Sequence, residues 1–205
     1  MSDKVVVIFV EGYTEIAFYK NLVALLREKA GGQLDCEIET KNLKGISNYE
    51  KDVVRKMSKE IIPKHPDAQF SVMICYDTDA FIYARKPPMN EDLVKKELKA
   101  LGICDVSCVE AKKSIEDWFL LDKHGLFSSI GLPQNTKIKG SGIKELERLF
   151  KLKNKTYAKG SENFNFVNAL DIEKIAGQIC TEISPICRAL GVSCPSKKSC
   201  KKQLS

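Results

Sequence analysis

Long apolar runs are missing from this 205-residue chain. No stretch approaches the ~18 apolar residues of a membrane helix, so no membrane span and no membrane partner are expected. The first apolar run, residues 4–10, has no basic leader and meets Glu11 at once, so it does not read as a secretory signal. A soluble, cytoplasmic protein is the expectation. Histidine is scarce: His65 and His124 stand alone, and neither has a neighbour that would make it a ligand or a base. Among eight cysteines there is no close Cys-x-x-Cys pair, the usual presentation of zinc ligands. Cys36, Cys75 and Cys104 lie in or beside apolar runs, where a thiol behaves as a small buried hydrophobe. Cys180, Cys187, Cys194 and Cys200 are six or seven residues apart, a spacing that favours ordinary thiols over a structural zinc and leaves both readings open. Gly140-Ser141-Gly142-Ile143-Lys144 lacks the spacing of a phosphate loop, which excludes a nucleoside-triphosphate site of that kind. No internal repeat is present.

What is there is ordinary globular material, 43% hydrophobic and 29% charged, enough for one domain and an appendage. The formal charge of +6 is unevenly spread. Residues 137–159 carry eight basic side chains against Glu145 and Glu147, and Lys197, Lys198, Lys201 and Lys202 crowd the tail. A near-neutral body with a basic segment suits a polyanion such as nucleic acid, although a solvated lysine-rich face has the same composition.

The pattern of elements is β-α-β-α-β-α-β. Apolar, β-branched strands are expected at 4–10 and 70–76, a strand with alternating apolar positions at 35–40, and a short fourth at 105–109. Helices are expected at 14–29, 49–62, 90–101 and 114–122, stopped by Gly31-Gly32, Pro63, Gly102 and the following loop. Such alternation predicts a doubly wound, mainly parallel four-stranded α/β sheet over residues 1–124. Residues 125–205 then read as a helical cap with a basic tail, packed on the sheet, with a helix at 143–150 and two more beyond it.

Two acidic motifs follow the two most apolar strands: Glu11-Gly12-Tyr13-Thr14-Glu15 and Asp77-Thr78-Asp79. Ligands of open α/β sheets bind beyond the carboxyl ends of the strands, so these carboxylates are expected at one sheet edge. Glu15 lies one helical turn after Glu11, and Asp77 and Asp79 alternate onto one side. Like charges that close favour a hard divalent cation between them, and two such ions can activate water in phosphodiester cleavage. The competing reading makes Glu11 and Asp79 plain helix N-caps.

Glu-Gly after the first strand and Asp-x-Asp after the third, with β-α alternation between them, resemble the TOPRIM domain of topoisomerases, primases and OLD-type nucleases. Val10-Glu11-Gly12-Tyr13-Thr14-Glu15, with no attached ATPase, is most similar to small stand-alone TOPRIM proteins, including the RloB-like group. Ile115-Glu116-Asp117-Trp118 resembles the Ile-Glu-x-Trp segment that such proteins carry after the fourth strand. The resemblance covers roughly residues 4–122 and, more loosely, Tyr157-x-Lys159. It implies Mg²⁺ or Mn²⁺, one or two ions, held by Glu11, Asp77 and Asp79 as catalytic ligands. Glu15 would serve a second position, supported by Glu116 or by Glu110 or Asp117. Many such sequences place a glycine a few residues after Asp-x-Asp, where this chain reads Asp79-Ala80-Phe81-Ile82, and nothing here matches the further modules of topoisomerase or primase.

Three functions compete. The first is a metal-dependent nuclease acting on DNA or RNA, in defence or repair, with Lys139, Lys144, Arg148, Lys155 and Lys159 on phosphates. Lys112 and Lys113 would stabilise phosphoryl charge or else form a solvated turn. The second is a non-catalytic module that binds nucleic acid or a partner protein through the basic cap. The third is a phosphotransferase of the haloacid-dehalogenase type, for which the Asp-x-Asp lies too far along the chain. Trp118 reads as core or as a base-stacking platform. A separately encoded ATPase and a homo-oligomer both remain open as partners.

Overall fold

A computed structural model of the chain describes residues 3–103, 105–159 and 165–194. The tail lysines Lys197, Lys198, Lys201 and Lys202, with Cys104 and Cys200, lie outside them. The chain is α/β: β1 (Lys4–Val10), β2 (Glu37–Asn42), β3 (Gln69–Asp77) and β4 (Asp105–Ala111) form one sheet in the order β2-β1-β3-β4. Every pairing is parallel, so the sheet is wholly rather than mainly parallel.

β1 and β3 occupy the middle because their sequences have no polar face to offer solvent. Val5, Val6, Val7, Ile8, Phe9 and Val10 are all fully buried, each stabilising by about 2 kcal/mol before entropy is counted. Val6, Ile8 and Val10 face α1 (Tyr13–Lys29), whereas Val5, Val7 and Phe9 face α2 (Tyr49–Lys56) on the opposite side. α2 runs through a π-helical turn, Met57–Ile61, into the short α3 (Ile62–Lys64). The turn directly precedes Pro63, whose missing N–H interrupts the α-helical ladder. β2 is an edge strand with Glu37, Glu39 and Lys41 along it, and Glu39 is paired to Lys41 and Lys64; such charges discourage another strand from adding there.

After β3 comes a short helix that local pattern does not reveal, α4 (Asp79–Tyr83), then α5 (Glu91–Ala100), capped by the Asn90 side chain. Beyond β4 run α6 (Ile115–Phe119), α7 (Lys123–Ile130), α8 (Gly142–Lys151), α9 (Ile172–Gln178) and α10 (Ser184–Ala189). Leu126, Phe127, Leu146, Leu149, Ile175 and Ile183 join Val6, Ile8 and Phe18 in one apolar cluster. The C-terminal helices therefore complete the core on the α1 face. Among the described residues no helix is long and apolar enough to cross a membrane.

Asp122 ties this half together. Its buried carboxylate accepts from the Gly125 N–H at 3.1 Å, capping α7, and from the Asp171 N–H at 2.9 Å and Lys174 Nζ at 3.0 Å, at the start of α9. These bonds hold the Asp122 carboxyl below its ordinary range against the opposing effect of burial. Asp122→Ala leaves both N–H groups unpaired and is expected to cost about 2 kcal/mol in urea unfolding. A change below a few tenths would show that the tie carries no stability.

Candidate functional site

The strand order reverses between β1 and β3: the chain leaves β1 for β2 on one side and β3 for β4 on the other. That crevice, at the carboxyl ends, is where open parallel sheets bind ligands. The register sets Phe9 beside Ile74, so Glu11 emerges beside the end of β3, and its Oε1 accepts the Asp77 N–H at 3.0 Å. Glu11 is thus engaged across the sheet, and it is Gly12 that stands at the N-cap of α1. Thr78, not Asp79, is the N-cap of α4. The N-cap reading of the two acids is not what the chain adopts.

Five carboxylates meet there. Asp77, buried at the tip of β3, accepts the Ile115 N–H on Oδ1 at 2.8 Å and Lys159 Nζ on Oδ2 at 2.5 Å. Glu15 is buried in the first turn of α1, and Glu116 is buried in α6, where its Oε1 takes the Tyr157 hydroxyl at 2.8 Å. Asp79 is half-buried, its N–H donating to the Lys113 carbonyl at 2.9 Å. Two further bonds lock the ends of β3 and β4. Thr78 N–H and Lys113 N–H donate to Ala111 O and Thr78 Oγ1, and Lys113 is held in the left-handed region at φ 67°.

Burial dominates the electrostatics. It raises Glu11, against the Asp77 N–H and Lys159, and Asp79 and Glu116 add to the rise. Burial also pushes Glu15 up to about 7, with Glu11 and Glu116 contributing. Asp77 is raised by burial and by Glu116 and Glu11, in spite of its bond to Lys159. Asp79 is raised for the same first reason. Burial works against the Lys159 ammonium, but Asp77, Glu116 and Glu11 outweigh it and hold Lys159 above its ordinary value. Among the described residues Lys159 is the cation that these acids face, and burial disfavours their charged forms in spite of it.

Two oxygens of the cluster, Glu15 Oε2 and Glu116 Oε2, are buried without a hydrogen-bond partner among the described residues. A donor set made of carboxylate oxygens, two of them orphaned, is the chemistry of a hard divalent cation. As arranged, no three acid, histidine or cysteine side chains among the described residues gather closely enough to grip an ion. Lys159 stands among them instead.

The expected residues divide accordingly. Glu11, Glu15, Asp77, Asp79 and Glu116 lie in one electrostatic cluster. Of the alternatives to Glu116, Glu110 accepts from Tyr76 on the other face and Asp117 takes Ser114 Oγ and the Gly142 N–H. Lys159, expected on a phosphate-facing surface, sits inside the cluster. Arg148 grips both oxygens of the buried Glu145 and also Lys137 O, and Lys155 donates to Ile130 O at 3.0 Å. These two cations hold the cap together. Lys112 pairs with Glu182 at 3.4 Å, whereas Lys139 and Lys144 are exposed. Trp118 is buried against Phe18, centroids 5.5 Å apart, and is core rather than a stacking platform. Local pattern missed Thr78, whose short polar side chain serves the backbone geometry of another loop.

Fold and site together define a parallel α/β protein with a buried carboxylate cluster at its topological switch point. Compared with protein-family models, with curated proteins and with solved structures, the chain shows no match.

Proposed function

We infer that this chain is a TOPRIM-like metal-dependent nuclease that hydrolyses phosphodiester bonds of DNA or RNA. The observation that carries the reading is the pair of buried oxygens on Glu15 and Glu116 that have no hydrogen-bond partner among the described residues, within five carboxylates gathered round Lys159. The β2-β1-β3-β4 parallel sheet, with Glu11 after β1 and Asp77 and Asp79 after β3, supports it. So does the resemblance of Glu-Gly, Asp-x-Asp and Ile-Glu-x-Trp to that family.

Glu11, Asp77 and Asp79 would hold Mg²⁺ or Mn²⁺, with Glu15 and Glu116 turning their free oxygens toward a second position. The bound ion supplies Lewis-acid polarisation of a phosphoryl oxygen and an acidified water. The protein's own part is positional. The Asp77 N–H orients Glu11, the Ile115 N–H orients Asp77, and Tyr157 orients Glu116. Lys159, held at the cluster by Asp77, would bring a positive charge suited to a phosphoryl oxygen on which charge develops. Burial of Glu15 and Glu116 keeps bulk water from the inner side of the cluster.

The non-catalytic alternative draws on one observation: Lys159 already neutralises Asp77 at 2.5 Å. Incubation with supercoiled plasmid and with structured RNA, with Mg²⁺ or Mn²⁺ and with chelator, separates the two. Metal-dependent cleavage is expected, and intact substrate under every condition would leave only binding.

A further inference from the structure

A cleft of about 840 Å³ opens beside the carboxylates, between the β1–α1 turn and the loop that follows β2. Glu11, Glu15 and Lys159 form its inner end, and Tyr13, Lys44 and Ser47 line the remainder. Its size falls within the roughly 300–1,000 Å³ typical of small-ligand sites. We propose that this cleft is a substrate subsite for the nucleotide adjoining the scissile phosphate, with Lys44 on its phosphate and Tyr13 stacked on its base.

The loop is built to present Lys44. Leu43 N–H donates to Val10 O and Gly45 N–H to Glu11 O, both at 2.9 Å, fastening the loop to the strand that carries Glu11. Asn42 Oδ1 accepts the Lys44 N–H at 2.7 Å, and Asn48 Nδ2 donates to Leu43 O and Lys44 O. These bonds hold Lys44 at φ 58°, a left-handed conformation that costs about 1 kcal/mol in a residue with a Cβ. Glycine would fit that backbone without the cost, so a reason for lysine is sought in its side chain. Lys44 is exposed and lines the cleft, and none of the described ion pairs involves it. Tyr13, one residue past Gly12, is half-buried on the opposite wall, and its ring meets no other aromatic ring among the described residues. A cation and an unstacked aromatic ring facing one cleft are the recurring pair for phosphate and base of a single-stranded nucleic acid. Among the described residues of the C-terminal cap, Lys159 is the one basic side chain that lines this cleft.

The inference rests on the nuclease reading, and its test separates the two. Fluorescence anisotropy of short single-stranded DNA and RNA in Ca²⁺ reports binding, and cleavage in Mn²⁺ is measured alongside. Lys44→Gly is expected to raise or keep thermal stability, weaken binding about fivefold, and lower the log–log salt slope by about 0.7. Lys44→Arg should stay near wild type. Tyr13→Ala is expected to weaken binding about tenfold, and Tyr13→Phe, which keeps the ring, to restore it. Wild-type affinity and salt slope in Lys44→Gly and Tyr13→Ala, with cleavage intact, would overturn the subsite and leave the nuclease reading standing. Weakened binding with no cleavage by any form would keep the subsite and overturn catalysis. Failure of the wild type to bind either nucleic acid would overturn both.

Discussion

Asp77→Asn is expected to reduce phosphodiester cleavage on the order of a thousandfold while the protein stays folded. Asp77 is the residue on which the cluster converges: its N–H orients Glu11, one oxygen takes the Ile115 N–H, and the other takes Lys159. Asparagine keeps the shape and an oxygen for Ile115, but it removes the charge that would hold a divalent ion. Stability should barely suffer, because Asp77 is a buried acid raised by burial, Glu116 and Glu11, so its charge is not a source of folding energy. Loss of the Lys159 pair and relief of like-charge repulsion oppose each other, and the net change in unfolding free energy is expected to stay within about 1 kcal/mol. Cleavage rate and urea midpoint, measured on one preparation, decide the matter. Equal cleavage by wild type and Asp77→Asn would remove the carboxylate from the reaction; a collapsed fold would mean that its role is structural.

Without divalent metal, the protein is expected to lose stability by a few kcal/mol as pH rises from about 4.5 to about 7, and added Mn²⁺ is expected to restore it. A carboxyl whose folded-state pKa lies above its unfolded value holds its proton in the folded state while the unfolded chain has released it. Stability therefore falls between the two values, the reverse of a salt-bridged acid. Glu15 is pushed up to about 7 by burial, aided by Glu11 and Glu116, and Glu11, Asp77 and Asp79 are raised in the same direction. The window accordingly opens at the ordinary carboxylate range and runs to about 7 for Glu15. Mn²⁺ binds the ionised form, so its stabilisation should grow with pH across that window. Thermal or urea melts at pH 5, 6, 7 and 8, with chelator and with Mn²⁺, check this. A chelated protein that gains stability over that range would contradict the description of the cluster.

How much of this lay open in the sequence follows from range. Residues 4–10 and 70–76 are legible as buried strands because each is a short, mostly apolar run containing β-branched residues, and the acids after them follow by position alone. β2, expected at 35–40, runs over Glu37–Asn42. Its one apolar residue is Ile38, so its limits come from pairing with β1 rather than from local pattern. α7 has little local signal, because Gly125 falls in its first turn and the Asp122 cap that starts it is held by Asp171 and Lys174, far along the chain. Most telling is Lys159. As one of many lysines between 137 and 159 it looked like part of a basic face, yet folding carries it to Asp77, 82 residues away. Composition cannot distinguish a cation that faces solvent from one that balances a carboxylate cluster, because the difference is made by tertiary packing. The same holds for Lys155, which donates to Ile130 O, whereas Arg148 meets Glu145 one turn earlier on its own helix.

The central claim is that the carboxylates around Lys159 take up a divalent cation, and Mn²⁺ uptake followed by electron paramagnetic resonance at pH 7.5 tests it most directly. One or two ions per wild-type chain are expected, at least tenfold weaker in Asp77→Asn, with protons released on binding as Glu15 and its neighbours ionise. No uptake by the wild type, or equal uptake by both proteins, would contradict it.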